Sequence, residues 1–273
     1  MSIPELQLFR CKLCGELFPD REMSEEHYPA KSVGNEDIIK LDIVKMMDSL
    51  MSADFRQQVS SRVEQGENIK DILENAFDTD FSESLYPKGR TSRTLCRNCN
   101  THLGKYDKAY LKFFENDGNP KIIKGYTIKT KIQIIKAVFG KFLSVPEAAN
   151  EKFDFIDFLR DDNCTEYHGK WHLYFIKRNY TTDLMGYADI GTGKEEFDEG
   201  VVYEFSDDKF VFNLLNFEKH SCFDMTNIFD ITKKNFSIVE GVTDPSGGYH
   251  GQLLLDRLFS DMTDDSSNSE IKI

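Results

Sequence analysis

The sequence predicts an α+β fold: a compact N-terminal half interrupted by a helical insertion, then further helices and a C-terminal antiparallel sheet. Three observations predict it. Two Cys-x-x-Cys pairs, Cys11 with Cys14 and Cys96 with Cys99, bracket a long intervening stretch. Apolar residues between and after the pairs recur at helical spacing. From about residue 165 to 245 the chain instead holds short aromatic and β-branched runs bounded by Gly and Asp. With 273 residues, 40% of them hydrophobic, the chain can bury a real core as one large domain or two small ones.

The N-terminus lacks a basic stretch followed by an apolar one, so no secretory signal is expected, and no apolar run is long enough to cross a membrane. The expected location is the cytoplasm, where paired cysteines are more often metal ligands than disulfides. A two-residue gap lets both thiolates of a tight knuckle face one ion, and two knuckles complete the tetrahedron that Zn²⁺ prefers. Gly15 suits the left-handed turn that closes the first knuckle. A redox pair would instead open a helix after a buried strand, and none precedes Cys11. Cys164 and Cys222 stand alone and are expected to be inert.

Between the pairs comes Ser24-Glu25-Glu26-His27-Tyr28-Pro29-Ala30-Lys31-Ser32. Neighbours on a strand point to opposite sides, but at a strand end both can approach one ligand. An imidazole that titrates near neutrality suits His27 to take a proton from water. Glu26 offers a hard oxygen for Mg²⁺ or a similar ion. After Cys99, the residues Leu103, Tyr106, Tyr110, Leu111 and Phe114 recur at helical spacing, which puts Asn100 at a helix start. Asn100, Gly104 and Asp107 then share a face, so Asp107 is a further candidate ligand; a solvated Asp is the plainer alternative.

These motifs, read as CKLCG, EHYPAKS and LCRNCNTHLGKYD, resemble the HNH endonucleases, the ββα-metal or His-Me finger nucleases. The match covers residues 11–35 and 94–114. The resemblance implies a zinc-stapled ββα-metal core. It implies that His27 activates the attacking water, that Glu26 and Asn100 hold a catalytic Mg²⁺ or Mn²⁺ against the scissile phosphate, and that the four cysteines hold a structural zinc. Many members carry histidine where this chain has Asn100, so the chain looks like an H-N-N variant selecting a hard ion. The family's middle asparagine has no counterpart in residues 90–95, which leaves another group, such as a backbone carbonyl, to orient His27.

Residues 36–85 form the insertion. Ile38, Ile39, Leu41, Ile43, Val44, Met47 and Leu50 suggest one helix, Phe55, Val59 and Val63 a second, and Asn68, Ile69, Leu73 and Phe77 a third, ended before the turn at Tyr86-Pro87-Lys88-Gly89. Residues 126–144 read as a helix, and Pro146 starts another running to about Arg160. Trp171–Ile176, Val201–Phe205, Phe210–Leu215 and Phe236–Val239 read as strands. The expected organisation is a nuclease-type domain over 1–145, a helix-plus-sheet domain over 146–259 and a disordered acidic tail over 260–273. His168, His172, His220 and His250 show no ligand spacing and receive no role. No Walker motif or Gly-rich phosphate loop is present, which argues against an ATP-driven enzyme.

The net charge of −13 argues against a nucleic-acid partner until its distribution is considered. Lys88 to Lys141 holds thirteen basic and three acidic residues, a net +10 beside the proposed site. Lys31, Arg90, Arg93, Arg97 and Lys105 are the candidate phosphate contacts, the arginines because guanidinium grips phosphate bidentately. The plainer reading of such lysines is a solvated helix face. The leading expectation is a metal-dependent endonuclease acting on nucleic acid, DNA ahead of RNA; chains resembling this family often serve bacterial defence or mobile elements. The alternatives are a zinc-stabilised nucleic-acid-binding module without cleavage, and a subunit whose acidic C-terminal region docks a protein partner.

Overall fold

A computed structural model describes residues 7–36, 38–41, 43–178, 191–219 and 224–241. The tail from Ser260, together with His220, Cys222 and His250, lies outside the described residues. The chain is mixed α+β and divides into two compact units, residues 1–35 with 91–273, and residues 36–90.

In the larger unit, β1 (Leu8–Arg10) and β2 (Leu17–Pro19) form an antiparallel hairpin. Strand β3 (Met23–His27) follows. Unit 36–90 begins with β4 (Ile38–Leu41), which pairs antiparallel with β5 (Ser82–Tyr86). Between these two strands lie α1 (Ile43–Met51), α2 (Ala53–Glu64) and α3 (Ile69–Ala76). Ser52 caps α2 by accepting from the Phe55 amide at 3.1 Å, and Asn68 caps α3 from the Lys70 amide at 2.8 Å. Residues 38–41 were expected to begin a helix. They form a strand because the β-branched pair Ile38-Ile39 finds an antiparallel partner in 82–86, and helix begins only at Ile43.

The chain re-enters the larger unit through β6 (Thr91–Cys96), which pairs antiparallel with β3 and runs directly into the 19-residue helix α4 (Arg97–Glu115). Asp117 and Gly118, at φ 53° and 62°, turn the chain out of α4. A Cβ on Gly118 would lie 2.9 Å from the ends of Phe113 and Ile238, and the positive φ there also favours glycine. Then come α5 (Pro120–Ile123) and α6 (Ile128–Lys141), the latter capped by Thr127. Helix α6 packs along α4, with Gly140 against the Leu103 side chain. Every residue from Ile134 to Val145 is buried, so α6 runs through the core instead of over it.

Pro146 opens only a single 3-10 turn, and α7 is confined to Ile156–Arg160. The expected continuous helix breaks because Phe153 and Phe155 are both buried, stacked on each other at 4.6 Å and edge-on to Trp171 and Phe139 respectively.

The C-terminal sheet comprises β7 (His172–Arg178), β8 (Thr192–Phe197), β9 (Gly200–Ser206), β10 (Phe210–Leu215) and β11 (Thr226–Asn227), antiparallel in the order β11-β7-β10-β9-β8; β12 (Glu240–Gly241) adds a short parallel pairing to β7. Leu173, Phe175, Phe205, Phe210 and Phe212 face the cluster containing α4 and α6, while Tyr174, Ile176, Val202 and Leu215 face a second cluster. Residues 236–239 are not a strand: Phe236 and Ile238 pack into the core as side chains, and Val239 alone reaches the sheet by backbone, accepting from the Lys177 amide at 2.9 Å. Among the described residues no helix is long and apolar enough to cross a membrane.

Candidate metal centre and carboxylate site

The β1–β2 hairpin presents its loop as the first knuckle. The Cys11 amide donates to the Glu16 carbonyl and the Gly15 amide to the Cys11 carbonyl, each at 2.9 Å, with Gly15 at φ 78°. The Lys12 amide donates to the Thr94 carbonyl at 2.9 Å, tying this loop to β6, whose end supplies Cys96. Cys99 follows on the first turn of α4. The four Sγ atoms lie within 4.8 Å of one another, the one convergent group of three or more His, Cys, Asp or Glu side chains among the described residues. Tetrahedral zinc with Zn–S bonds near 2.3 Å needs sulfurs about 3.8 Å apart, so the donor set fits a soft, tetrahedral ion such as zinc.

The Cys96 amide points at the Cys11 sulfur, 3.3 Å away. Burial opposes charge on Cys11, yet the amides of Cys14, Cys96 and Leu13 draw its thiol below the ordinary range. Burial pushes the Cys14 and Cys99 thiols up, and the neighbouring Cys11 adds to both shifts.

The β3–β6 ladder leads from this cluster to the Glu-His pair. Met23 pairs with Cys96 at one end, and Glu26 and His27 pair with Ser92 and Thr91 at the other, with a bulge between Ser24 and Glu26. Glu26 is buried and His27 half-buried. Helix α4 packs on both strands, and its Asn100 donates its amide N–H to Ser24 Oγ at 2.6 Å. Asp107 lies two turns further along α4.

Lys141, at the end of α6, unites these groups. Its Nζ lies 2.5 Å from Glu26 Oε1 and 3.1 Å from Asp107 Oδ2. Burial pulls the ammonium pKa down, but Asp107 and Glu26 outweigh it and hold it above the ordinary lysine value. Burial raises the Glu26 carboxyl against the pull of Lys141. Sequence reasoning missed Lys141. The signal was present: Ile134, Val138 and Lys141 fall at i, i+4 and i+7, which places a lysine on the apolar stripe of a helix.

Ser92 lies across from Glu26, and among the described residues its buried Oγ has no hydrogen-bond partner. Thr91, across from His27, donates its hydroxyl to Glu25 at 3.1 Å.

The candidate phosphate contacts have partners within the chain or lie on its surface. Arg93 pairs with Asp20 at 2.5 Å, Arg97 donates to the Arg21 carbonyl at 3.0 Å, and Lys105 pairs with Asp162. Lys31 is exposed at the start of a 3-10 turn. Arg90 belongs to unit 36–90 and lies over the Tyr86 ring. The basic segment is not a uniformly solvated face, because Lys131, Lys136 and Lys141 are buried. Lys136 donates to the Asp161 carbonyl at 2.5 Å and sits over the Phe158 ring.

No family model matches the sequence, and neither a curated protein nor a solved structure matches it.

Proposed function

We propose that this chain is a nucleic-acid phosphodiester hydrolase of the HNH type, stapled by zinc at Cys11, Cys14, Cys96 and Cys99, with His27 as the base that takes a proton from water. One observation carries the reading. His27 ends β3, β6 pairs with β3, and α4 follows β6 at once, carrying Cys99, Asn100 and Asp107 in that order. That order of strand, strand and helix is what the motif resemblance calls for. His27 is half-buried, so an attacking water can reach it. DNA leads RNA as substrate, with Lys31 and Arg97 the first residues to try as phosphate contacts.

The resemblance adds a divalent ion, Mg²⁺ or Mn²⁺, at Glu26 and Asn100, where it would polarise the phosphate. The residues as they stand do not fit that seat. Glu26, which would supply the carboxylate oxygen, is engaged by the Lys141 ammonium. The same contact favours a second reading, a module that binds nucleic acid without cutting it.

The test is nicking of supercoiled plasmid by the zinc-loaded chain beside His27→Ala, with Mg²⁺, with Mn²⁺ and with neither. The expected result is a loss of about 10²- to 10⁴-fold in the variant, the usual contribution of a general base. Wild type that cuts no faster than the variant under all three conditions sinks the hydrolase. Retained binding in that case supports the second reading.

A further inference from the structure

The carboxylate site holds a cation that belongs to the chain itself. Lys141 Nζ contacts Glu26 at 2.5 Å and Asp107 at 3.1 Å, and the Lys141 and Glu26 side chains are only 10% and 9% exposed. The Asp107 side chain is 31% exposed and forms the open edge. The lysine cannot swing away easily. Its neighbours Phe139, Phe142 and Leu143 are fully buried, and Gly140 lies against Leu103 of α4, so moving the end of α6 would disrupt the core. Two carboxylates with one ammonium leave a single net negative charge. A divalent ion seated on Glu26 would sit within a few ångströms of that ammonium and be repelled by it.

From this we infer that Lys141 is the resident cation of the Glu26–Asp107 site, filling the role for which Glu26 would otherwise recruit a divalent, oxygen-seeking ion. The inference rests on reading Glu26 as the acidic member of a nuclease-type site. The wild-type chain takes up no Mn²⁺ through Glu26. Removing the ammonium leaves two facing carboxylates, a hard-oxygen seat of the kind such ions select. Lys141 acts through Glu26 and is a positioning residue.

The experiment is Mn²⁺ titration of the full, zinc-loaded chain, read by the electron paramagnetic resonance signal of free Mn²⁺. Wild type is expected to show no uptake that Glu26→Gln abolishes. Lys141→Met is expected to bind one Mn²⁺ at least tenfold more tightly than wild type, and Glu26→Gln with Lys141→Met is expected to lose it. Two results overturn the inference: Glu26-dependent uptake by wild type, or no gain by a Lys141→Met chain that retains its zinc and its circular dichroism. If that variant does not fold, nitrogen-15 spectra of the wild-type lysine ammonium groups decide. A slowly exchanging Lys141 signal that ignores submillimolar Mn²⁺ supports the inference, and one broadened by it, or absent, overturns it. None of these measurements reads strand cleavage. A failed nicking assay leaves them standing, and Mn²⁺ uptake by wild type leaves the nuclease proposal standing.

Discussion

The cysteine cluster and the Glu26–Lys141–Asp107 triad sit toward opposite ends of one pair of strands, and they treat positive charge in opposite ways. The cluster gathers four soft donors that could hold an ion from outside. The triad gathers hard oxygens and supplies its own ammonium from the buried end of α6. A cation carried by the chain is always present, whereas a bound metal depends on its concentration. The first arrangement suits a staple that can be loaded and stripped, the second a site set once by folding.

The largest effect that could break this comparison is loss of the metal. Binding at structural zinc sites is worth on the order of 10 kcal/mol, comparable with the whole stability of a domain. Chelation or Cys96→Ser is therefore expected to abolish cooperative thermal unfolding of the larger unit. A stripped chain that melts like the zinc-loaded one would refute the staple.

Next in size is Lys141→Met. It leaves Glu26 buried without its partner, a loss of roughly 3–5 kcal/mol by analogy with other broken buried pairs. The melting temperature should fall by roughly ten degrees. Adding Glu26→Gln should recover much of that, because the two residues interact directly; strictly additive losses would mean they are not coupled.

Asp207 supplies the comparison of a buried carboxylate that accepts hydrogen bonds from neutral donors while the Arg178 charge also acts on it. The Tyr110 hydroxyl and the Lys209 and Phe210 amides donate to it. Burial outweighs these bonds and the Arg178 charge and pushes its pKa up to about 6. The folded chain thus binds this proton more tightly than the unfolded one. The linked stability is fully present below about pH 4 and is lost as pH rises through about 6, a change of about 3 kcal/mol. Asp207→Asn should flatten that limb in denaturant melts run between pH 4 and 7. An unchanged limb would place the titration elsewhere.

The smallest effect is Asp107→Asn. Its side chain is partly solvated and the Lys141–Glu26 contact survives, so the expected cost is under about 1 kcal/mol. A cost as large as that of Lys141→Met would show that Asp107 is the main partner of the ammonium.

The parts of the fold legible in the sequence were those with local signatures. Knuckle spacing predicted the cysteine cluster, and helical periodicity predicted α4, α6 and the insertion's helices. The aromatic runs of β7, β9 and β10 predicted the sheet. Strand β8, TGKEEF, carries little apolar signal because it is an edge whose pairing to β9 is by backbone. The two-residue strands β11 and β12 are too short to leave a pattern. Glu26, His27 and Asn100 were legible as a motif, but the partner of Glu26 was not, because it comes from a helix 115 residues later. Arg93 and Lys105 read as free charges for the same reason: the carboxylates that meet them are distant in sequence.

That separation also orders events while the chain is being made. Strand β3 leaves the ribosome before β6 exists to pair with it, and Glu26 leaves long before Lys141. At about 5–20 residues per second, 115 residues take on the order of ten seconds. During that interval the Glu-His strand is an unpaired edge and the first cysteine knuckle is half a binding site. The catalytic candidate residues are thus translated early and assembled late, and the growing chain cannot carry a finished site until α6 has emerged.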